Sequence, residues 1–168
     1  MTPDELARLL DRGTEHADEE AVDVLDHSLQ CAALLAERHP DDIELQLAGL
    51  VHDVGTIVEP DDPERHAATG AATVAPLLGR RVGWLVSWHA EAKRYLVTTD
   101  PAYRSRLSAR SIVTLAAQGG TMDDAEVAAL AGAPDLDALL ALRRADDDAK
   151  VVGRAVPGLE AWRPLLTR

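Results

Sequence analysis

The 168-residue sequence predicts an all-α protein. Three observations predict this class. Ala, Leu, Arg and Glu dominate the chain, and these residues favour helices. Apolar residues recur at helical spacing, and no segment shows the apolar–polar alternation that is typical of a strand. Proline, glycine and capping residues divide the chain into segments of helical length. We therefore expect a bundle of helices.

Start and stop signals delimit the helices of the first hundred residues. The first helix opens on a capping box between Thr2 and Glu5, with Pro3 at the first helical position, and stops near Gly13. Pro40 ends the second helix, and Gly55 is interpreted as the C-terminal stop of the third. The predicted helices lie at about 3–13, 20–39, 41–54, 64–78 and 81–97.

Shorter helices are predicted in the remainder of the chain. A loop around Asp100 and Pro101 precedes them, and a Gly/Pro-containing connection spans 151–157. The helices are expected at about 108–117, 123–130 and 136–150, and a last short helix follows Gly158. No internal repeat or break in composition divides the chain, and its length suits one core. We therefore expect a single domain over 1–168.

The composition excludes several classes of function. The chain has 17 Lys and Arg against 29 Asp and Glu, a net charge of -12, which argues against binding to nucleic acid or to an anionic membrane. Aromatic residues make up 3%, with no Phe, so platforms for stacking bases are not expected. No stretch reaches the ~18 consecutive apolar residues that would span a membrane. We therefore expect a soluble, intracellular, globular protein.

The cysteine content and the first residues bear on location. Cys31 is the only cysteine, so no internal disulfide can form. The sequence starts MTPDELARLL, which lacks the basic and apolar regions of a signal peptide. We expect a cytoplasmic protein, and the short acidic chain is compatible with a monomer or a weak oligomer.

The dipeptide His52-Asp53 is the strongest chemical signal in the sequence. Adjacent residues of a helix point about 100° apart, so the two side chains can serve one cation from neighbouring directions or bridge to a second. The dipeptide falls near the end of the third predicted helix, where unpaired carbonyls and the negative end of the helix dipole favour a cation. The doublet therefore predicts a metal site.

Further candidate ligands lie on other predicted helices. They are His27 on an apolar stripe, His66 among small residues, His89 four residues before Lys93, and Asp146 three residues after Arg143. Each alone has an ordinary interpretation, because buried histidines are commonly hydrogen-bonded core residues and Asp146 and Lys150 at i,i+4 are typical of a surface ion pair. Together, the order His, His-Asp, His, His, Asp on successive helices favours a metal centre.

This order of ligands resembles the HD-domain superfamily. A mononuclear HD phosphohydrolase uses His, His-Asp and a later Asp, whereas the two additional histidines resemble the dinuclear branch. That branch contains the mixed-valence diiron oxygenases, namely myo-inositol oxygenase and the organophosphonate-cleaving oxygenases, and it overlaps some dinuclear phosphodiesterases. The resemblance implies an HD-domain helical bundle around a dinuclear metal site.

The residues that flank the ligands resemble the organophosphonate-cleaving group, over about residues 19–165. The matching runs are LDHSLQCA at 25–32, HAEAKRYL at 89–96, QGGTM at 118–122, RRADDDAK at 143–150 and VPGLE at 156–160. The resemblance implies that Lys93, Ser111 and Arg143 hold the phosphonate oxygens and that Glu20 lies in a lid over the substrate. It further implies two iron ions, as Fe(II)/Fe(III), with O2 as co-substrate.

Two positions depart from the family pattern. Members that act on hydroxylated aminoethylphosphonate carry Tyr where this chain has Ala17, and that Tyr is implied to cap one iron until substrate arrives. They often carry His, in contact with substrate, where this chain has Thr56. Both changes bear on the choice of substrate and leave the six metal ligands intact.

The chemistry of the six side chains agrees with this resemblance. Four imidazoles and two carboxylates, without thiolate, suit iron or manganese better than structural zinc. If Asp53 bridges, the protein fills seven of about twelve octahedral positions and leaves room for substrate. Lys93 and Arg143 beside a positive cluster favour an anionic ligand such as a phosphonate.

Three functions follow from these observations. The first is an O2-dependent diiron oxygenase that cleaves the C–P bond of a small 1-hydroxyphosphonate and releases phosphate and an oxidised carbon product. The alternative is a dinuclear metal-dependent HD phosphohydrolase of nucleotides or phosphate esters, which requires no O2. The third is a non-enzymatic module that binds a metal or a phosphonate.

Overall fold

Helices make up the secondary structure of residues 1–16 and 22–167, which the computed structural model describes. No strand occurs in these two ranges, and the all-α prediction is confirmed. The helices are α1 (Pro3–Asp11), α2 (Val24–Arg38), α3 (Ile43–Val51), α4 (Val54–Val58), α5 (His66–Leu78), α6 (Arg80–Thr99), α7 (Ala109–Ala117), α8 (Asp124–Ala131), α9 (Leu136–Asp148) and α10 (Leu159–Trp162). Single 3-10 turns lie at Arg12–Glu15, Pro63–Arg65, Tyr103–Arg106 and Arg163–Leu165.

Side-chain caps fix where several helices begin. Thr2 and Glu5 form the predicted capping box at the start of α1. Asp23 accepts a hydrogen bond from the amide of Asp26, so α2 begins at Val24. The predicted beginning of this helix at residue 20 lies outside the described residues. The cap at Asp23 stabilises the first turn of the helix that carries His27.

The third predicted helix is interrupted at the His52-Asp53 doublet, so its continuation to Val54 is wrong. Helix α3 ends at Val51, Asp53 has φ -99° and ψ 10°, and α4 begins at Val54. Gly55 lies inside α4 and is not the predicted stop. A Cβ atom on Gly55 would lie 1.9 Å from the carbonyl oxygen of His66. Glycine is therefore required because the backbones of α4 and α5 touch at this position.

The core lies among α2, α3, α6 and α9, which pack against one another. Leu35, Leu50, Leu85 and Leu142 contribute fully buried side chains, one from each of these helices. Helix α5 packs along α6 and also against α4. This arrangement brings every predicted metal ligand to the interior, because each comes from one of these elements or from the junction of α3 and α4.

A second, smaller hydrophobic cluster packs around the C-terminal end of α6. It consists of Leu96, Val97, Tyr103, Leu107 and Leu115. The cluster secures the turn Tyr103–Arg106 and the inner face of α7 against α6. Within the described ranges, no helix combines the length and the apolar character needed to cross a bilayer.

Candidate metal centre

Four histidine rings meet as two pairs in the interior. The Nε2 atoms of His27 and His52 lie 3.1 Å apart, and those of His66 and His89 lie 3.0 Å apart. The His52 and His89 rings stand edge to face, with centroids 5.2 Å apart, and place the two pairs side by side. Residues from four separate segments of the chain therefore converge on one small volume.

A backbone carbonyl orients each of the four rings through its Nδ1 atom. The distances are 2.9 Å from His27 to the oxygen of Ala149, 2.8 Å from His52 to that of Gly49, 2.6 Å from His66 to that of Pro63, and 2.6 Å from His89 to that of Val86. A carbonyl only accepts hydrogen bonds, so each Nδ1 carries a proton and donates it. The ring then directs Nε2 toward the partner histidine.

The second pair, His66 and His89, could hold a cation together with Asp53. Burial lowers the pKa of His66, so its ring is neutral near pH 7. The Nε2 atoms of His66 and His89 face each other at 3.0 Å, and a cation could bind both. Neighbouring ligand atoms around a metal at about 2.1 Å are separated by about 3 Å, which agrees with this spacing.

Asp53 offers one carboxylate oxygen to each histidine pair. Its Oδ2 lies 3.6 Å from Nε2 of His27 and 3.4 Å from that of His52. Its Oδ1 lies 3.7 Å from Nε2 of His66 and 3.6 Å from that of His89. A carboxylate in this position could bridge two cations, and the break between α3 and α4 directs the side chain between the two pairs.

Asp146 joins only the first pair. Its Oδ1 lies 3.4 Å from Nε2 of His27, and its Oδ2 lies 3.9 Å from Nε2 of His52. The potential ligand atoms thus fall into two unequal groups that share Asp53. One group contains His27, His52, Asp53 and Asp146, and the other contains Asp53, His66 and His89.

The two groups differ in their access to solvent. The rings of His27 and His52 are fully buried, whereas the side chain of His66 is 12% exposed and that of Asp53 is 22% exposed. The first group is therefore enclosed by protein, and the second group, which has fewer protein ligands, opens outward. A small molecule would reach the centre from the side of His66.

Burial and neighbouring charges shift the pKa values of the histidines and carboxylates in this centre. Burial alone would raise the pKa of Asp53 and of Asp146, but neighbouring histidines, and for Asp146 chiefly Arg143, hold both well below the usual range. Burial lowers the pKa of His52 to about 4. Burial also opposes charge on His27, yet Asp146 and Asp53 raise its pKa to about 9. The metal-free first pair therefore carries one proton, which a bound cation would displace.

A cavity of about 250 Å³ lies over the second group of ligands. His66, His89 and Asp53 form part of its floor, and the predicted phosphonate-binding residues line its wall. These residues are Lys93, Ser111 and Arg143. Thr56, which departs from the family pattern, also lines the cavity. Glu20 and Ala17 lie outside the described residues.

Lys93 is a buried cation in the cavity wall. Its side chain lies one helical turn after His89 on α6 and is 3% exposed. The ammonium group donates a hydrogen bond of 2.6 Å to the hydroxyl of Thr114 on α7. Burial, together with the nearby Arg143, lowers the pKa of Lys93 to about 8. The sequence analysis missed Thr114, although its i+3 spacing from Ser111 places both on one face of α7.

Arg143 is the second buried cation, and two carboxylates hold it. Its Nη1 lies 2.6 Å from Oδ2 of Asp146, at the predicted i,i+3 spacing. Its Nη2 donates to Asp147, whose other oxygen accepts a hydrogen bond of 2.5 Å from the hydroxyl of Tyr103. The sequence analysis missed Asp147 and Tyr103. Helix α9 ends at Asp148, two residues before its predicted end, and Lys150 lies beyond it at the edge of the cavity.

Comparison with protein families assigns the chain to a class. A model of the HD domain matches residues 24–148, which include all six predicted ligands. The chain therefore belongs to the HD-domain family.

Individual relatives identify the branch of that family. The hydroxymethylphosphonate dioxygenase of Gimesia maris is 35% identical over 161 residues, which cover 90% of this chain and 79% of the relative. The [1-hydroxy-2-(trimethylamino)ethyl]phosphonate dioxygenase (glycine-betaine-forming) of Leisingera caerulea is 33% identical over 165 residues, or 94% and 84% of the two chains. The uncharacterized protein L432 of Acanthamoeba polyphaga mimivirus is 29% identical over 145 residues, or 80% and 66%. The chain belongs to the branch that contains the organophosphonate-cleaving oxygenases.

Proposed function

We propose that this chain is an O2-dependent oxygenase that cleaves the C–P bond of a small 1-hydroxyphosphonate. One observation carries the proposal: Asp53 is shared by two histidine pairs at the floor of a cavity whose wall contains two buried cations, Lys93 and Arg143. The names of two relatives, both phosphonate dioxygenases, support the same reaction.

The donor set fits a pair of iron ions. His27, His52, Asp53 and Asp146 would hold one ion, and Asp53, His66 and His89 would hold the other. Nitrogen and carboxylate donors without thiolate favour iron or manganese over a structural zinc site. When bound, the iron pair supplies the activation of O2 and the acceptance of electrons from the substrate carbon.

The buried cations bind and orient the substrate. A phosphonate dianion compensates the charge of Lys93, which burial makes costly and which hydrogen-bonds to the neutral hydroxyl of Thr114, so the site favours an anion over a neutral ligand. Arg143 offers directed N–H donors, and Lys93 contributes a compact positive charge. Ser111, which is 4% exposed, adds a hydroxyl to the same wall. With the phosphonate group held by these residues, the carbon that bears the hydroxyl group would lie near His66 and His89, which line the same cavity.

The proposed reaction balances with one molecule of O2. A 1-hydroxyphosphonate dianion and O2 give a carboxylate, hydrogen phosphate and one proton. The C–P bond and the C–H bond at the same carbon break, one oxygen atom goes to carbon and one to phosphorus, and the substrate provides all four electrons. No external reductant is consumed, so one phosphate should appear for each O2.

The stoichiometry of phosphate and O2 tests this proposal. Protein loaded with Fe(II) is incubated in air with hydroxymethylphosphonate and with longer 1-hydroxyphosphonates, while phosphate release and O2 consumption are recorded. We expect equal amounts of each, and no phosphate under argon. Release of phosphate from nucleotides or phosphate esters under argon, with none from the phosphonates in air, would instead identify a phosphohydrolase. Absence of both phosphate release and O2 consumption with every compound would reject the proposal.

A further inference from the structure

We infer that Tyr103 and Asp147 are positioning residues that fix Arg143 for recognition of the substrate anion. The inference rests on the proposed function, because it assigns a role within the same cavity. Neither residue belongs to the predicted ligand set or to the predicted phosphonate contacts. They act on substrate only through the guanidinium group of Arg143.

Arg143 is restrained at both of its terminal nitrogens. Nη1 is bound by Asp146, which also faces the first histidine pair, and Nη2 is bound by Asp147. The side chain is 4% exposed, so water competes little for these donors. Its Nε–H is buried and has no hydrogen-bond partner within the described residues. The guanidinium plane is thus fixed before any ligand arrives.

Tyr103 restrains Asp147 from outside the helix. Its hydroxyl donates to Oδ2 of Asp147, while Oδ1 accepts from Arg143, so both carboxylate oxygens are occupied. Tyr103 is 2% exposed and packs with Leu96, Leu107 and Leu115. Asp147 therefore cannot rotate away from Arg143 without breaking a buried hydrogen bond. The hydrogen bond from Tyr103 to Asp147 therefore connects the smaller hydrophobic cluster to the cavity wall.

This arrangement exceeds what neutralisation of Arg143 requires. Asp146 alone already supplies one negative charge at 2.6 Å. Asp147 is a second carboxylate, and the buried hydroxyl of Tyr103 orients it. Its contact with Arg143 fixes the orientation of the guanidinium group more than it balances the charge. A guanidinium that is oriented beforehand loses less conformational freedom when an anion binds, so the affinity for the anion is higher.

The test is the binding of methylphosphonate, which lacks the hydroxyl group of a substrate, to protein loaded with Fe(II) under argon. Calorimetry gives the dissociation constant of the wild type, Tyr103→Phe and Tyr95→Phe. We expect Tyr103→Phe to raise the constant about five-fold, which is typical of the loss of one buried hydrogen bond. Tyr95, half-buried on α6, is the matched control, because its hydroxyl has no hydrogen bond to the described part of the chain. Its substitution should leave the constant unchanged.

A double-mutant cycle separates positioning from general stability. If Tyr103 acts through Asp147, Tyr103→Phe has no further effect on binding in an Asp147→Ala background. The iron content and the thermal unfolding of each variant are recorded in parallel, and the iron content should equal that of the wild type.

The outcomes distinguish the two proposals. A dissociation constant for Tyr103→Phe within two-fold of the wild type overturns the positioning role, as does an equal loss in the Asp147→Ala background. Loss of iron in Tyr103→Phe would assign the residue to the metal centre instead and would also overturn it. If the wild type itself does not bind methylphosphonate, this inference is overturned, whereas the proposed function is rejected only by the absence of phosphate release and O2 consumption with the hydroxyphosphonates.

Discussion

Replacing Lys93 by Met should stabilise the ligand-free protein while it removes the ability to bind a phosphonate. Lys93 is 3% exposed, and among the described residues its ammonium group has one hydrogen-bond partner, Thr114. Methionine keeps much of the apolar stem that packs in the wall and removes the charge. Gain of stability with loss of binding is the behaviour of a residue that is retained for function.

The magnitude follows from the pKa of Lys93, which falls from 10.5 to about 8. This difference corresponds to a cost of about 3 kcal/mol for the charged form. The substitution also deprives the Thr114 hydroxyl of a donor, which costs about 1 kcal/mol. We therefore expect Lys93→Met to raise the free energy of unfolding by about 2 kcal/mol at pH 7.

The increase in the free energy of unfolding caused by Lys93→Met should become smaller as the pH rises. Because the folded-state pKa lies below that of the unfolded chain, the destabilisation by Lys93 is fully present below about pH 8. It disappears as the pH rises toward 10.5, where Lys93 is neutral in both states. The stability difference between variant and wild type should therefore shrink over this interval.

Urea denaturation of chelator-treated protein at several pH values measures this difference. Arg144→Met, which removes an exposed cation from α9, is the control and should change stability by less than about 0.5 kcal/mol. If Lys93→Met is less stable than the wild type at pH 7, the cost assigned to the buried charge is wrong. If Lys93→Met still binds methylphosphonate with wild-type affinity, the role of Lys93 in anion recognition is wrong.

Three further predictions concern the fold and the cavity. Gly55→Ala should destabilise the protein by about 3 kcal/mol, since its Cβ would meet the His66 carbonyl at 1.9 Å; unchanged unfolding by urea would refute the close contact. Arg81→Met should cost about 1 kcal/mol, because Arg81 makes two hydrogen bonds to Asp42 and is 26% exposed, and its thermal midpoint should fall modestly. The affinity for methylphosphonate should decrease above about pH 8 as Lys93 loses its proton, and a flat calorimetric profile to pH 9.5 would contradict this.

The sequence was informative where a side chain's role depends on its own helix. The apolar stripe around His27 and the i,i+3 pair of Arg143 and Asp146 are local periodicities, and the structure reproduces both. Start signals such as the box at Thr2 are likewise local. The all-α class follows from the sum of many such segments.

The parts that could not be predicted depend on contacts between distant segments. The break at His52-Asp53 has no proline, and Gly55, which follows it, has the local pattern of a helix stop. Only the approach of α5 shows that Gly55 makes room for the backbone of His66. Tyr103 and Asp147 are 44 positions apart, and no local pattern joins them. The backbone carbonyls that orient the histidine rings cannot be predicted from the sequence either, because every residue has a carbonyl group.

The iron content of the purified protein is the most direct test of a two-ion centre that shares Asp53. After loading with Fe(II) and removal of excess metal, the wild type should contain two irons per chain, and the double variant His66→Ala/His89→Ala should contain one. Brief exposure to air should give the electron paramagnetic resonance signal of a coupled Fe(II)/Fe(III) pair in the wild type alone. One iron per chain in the wild type, or two in the double variant, would contradict a shared carboxylate between two ions.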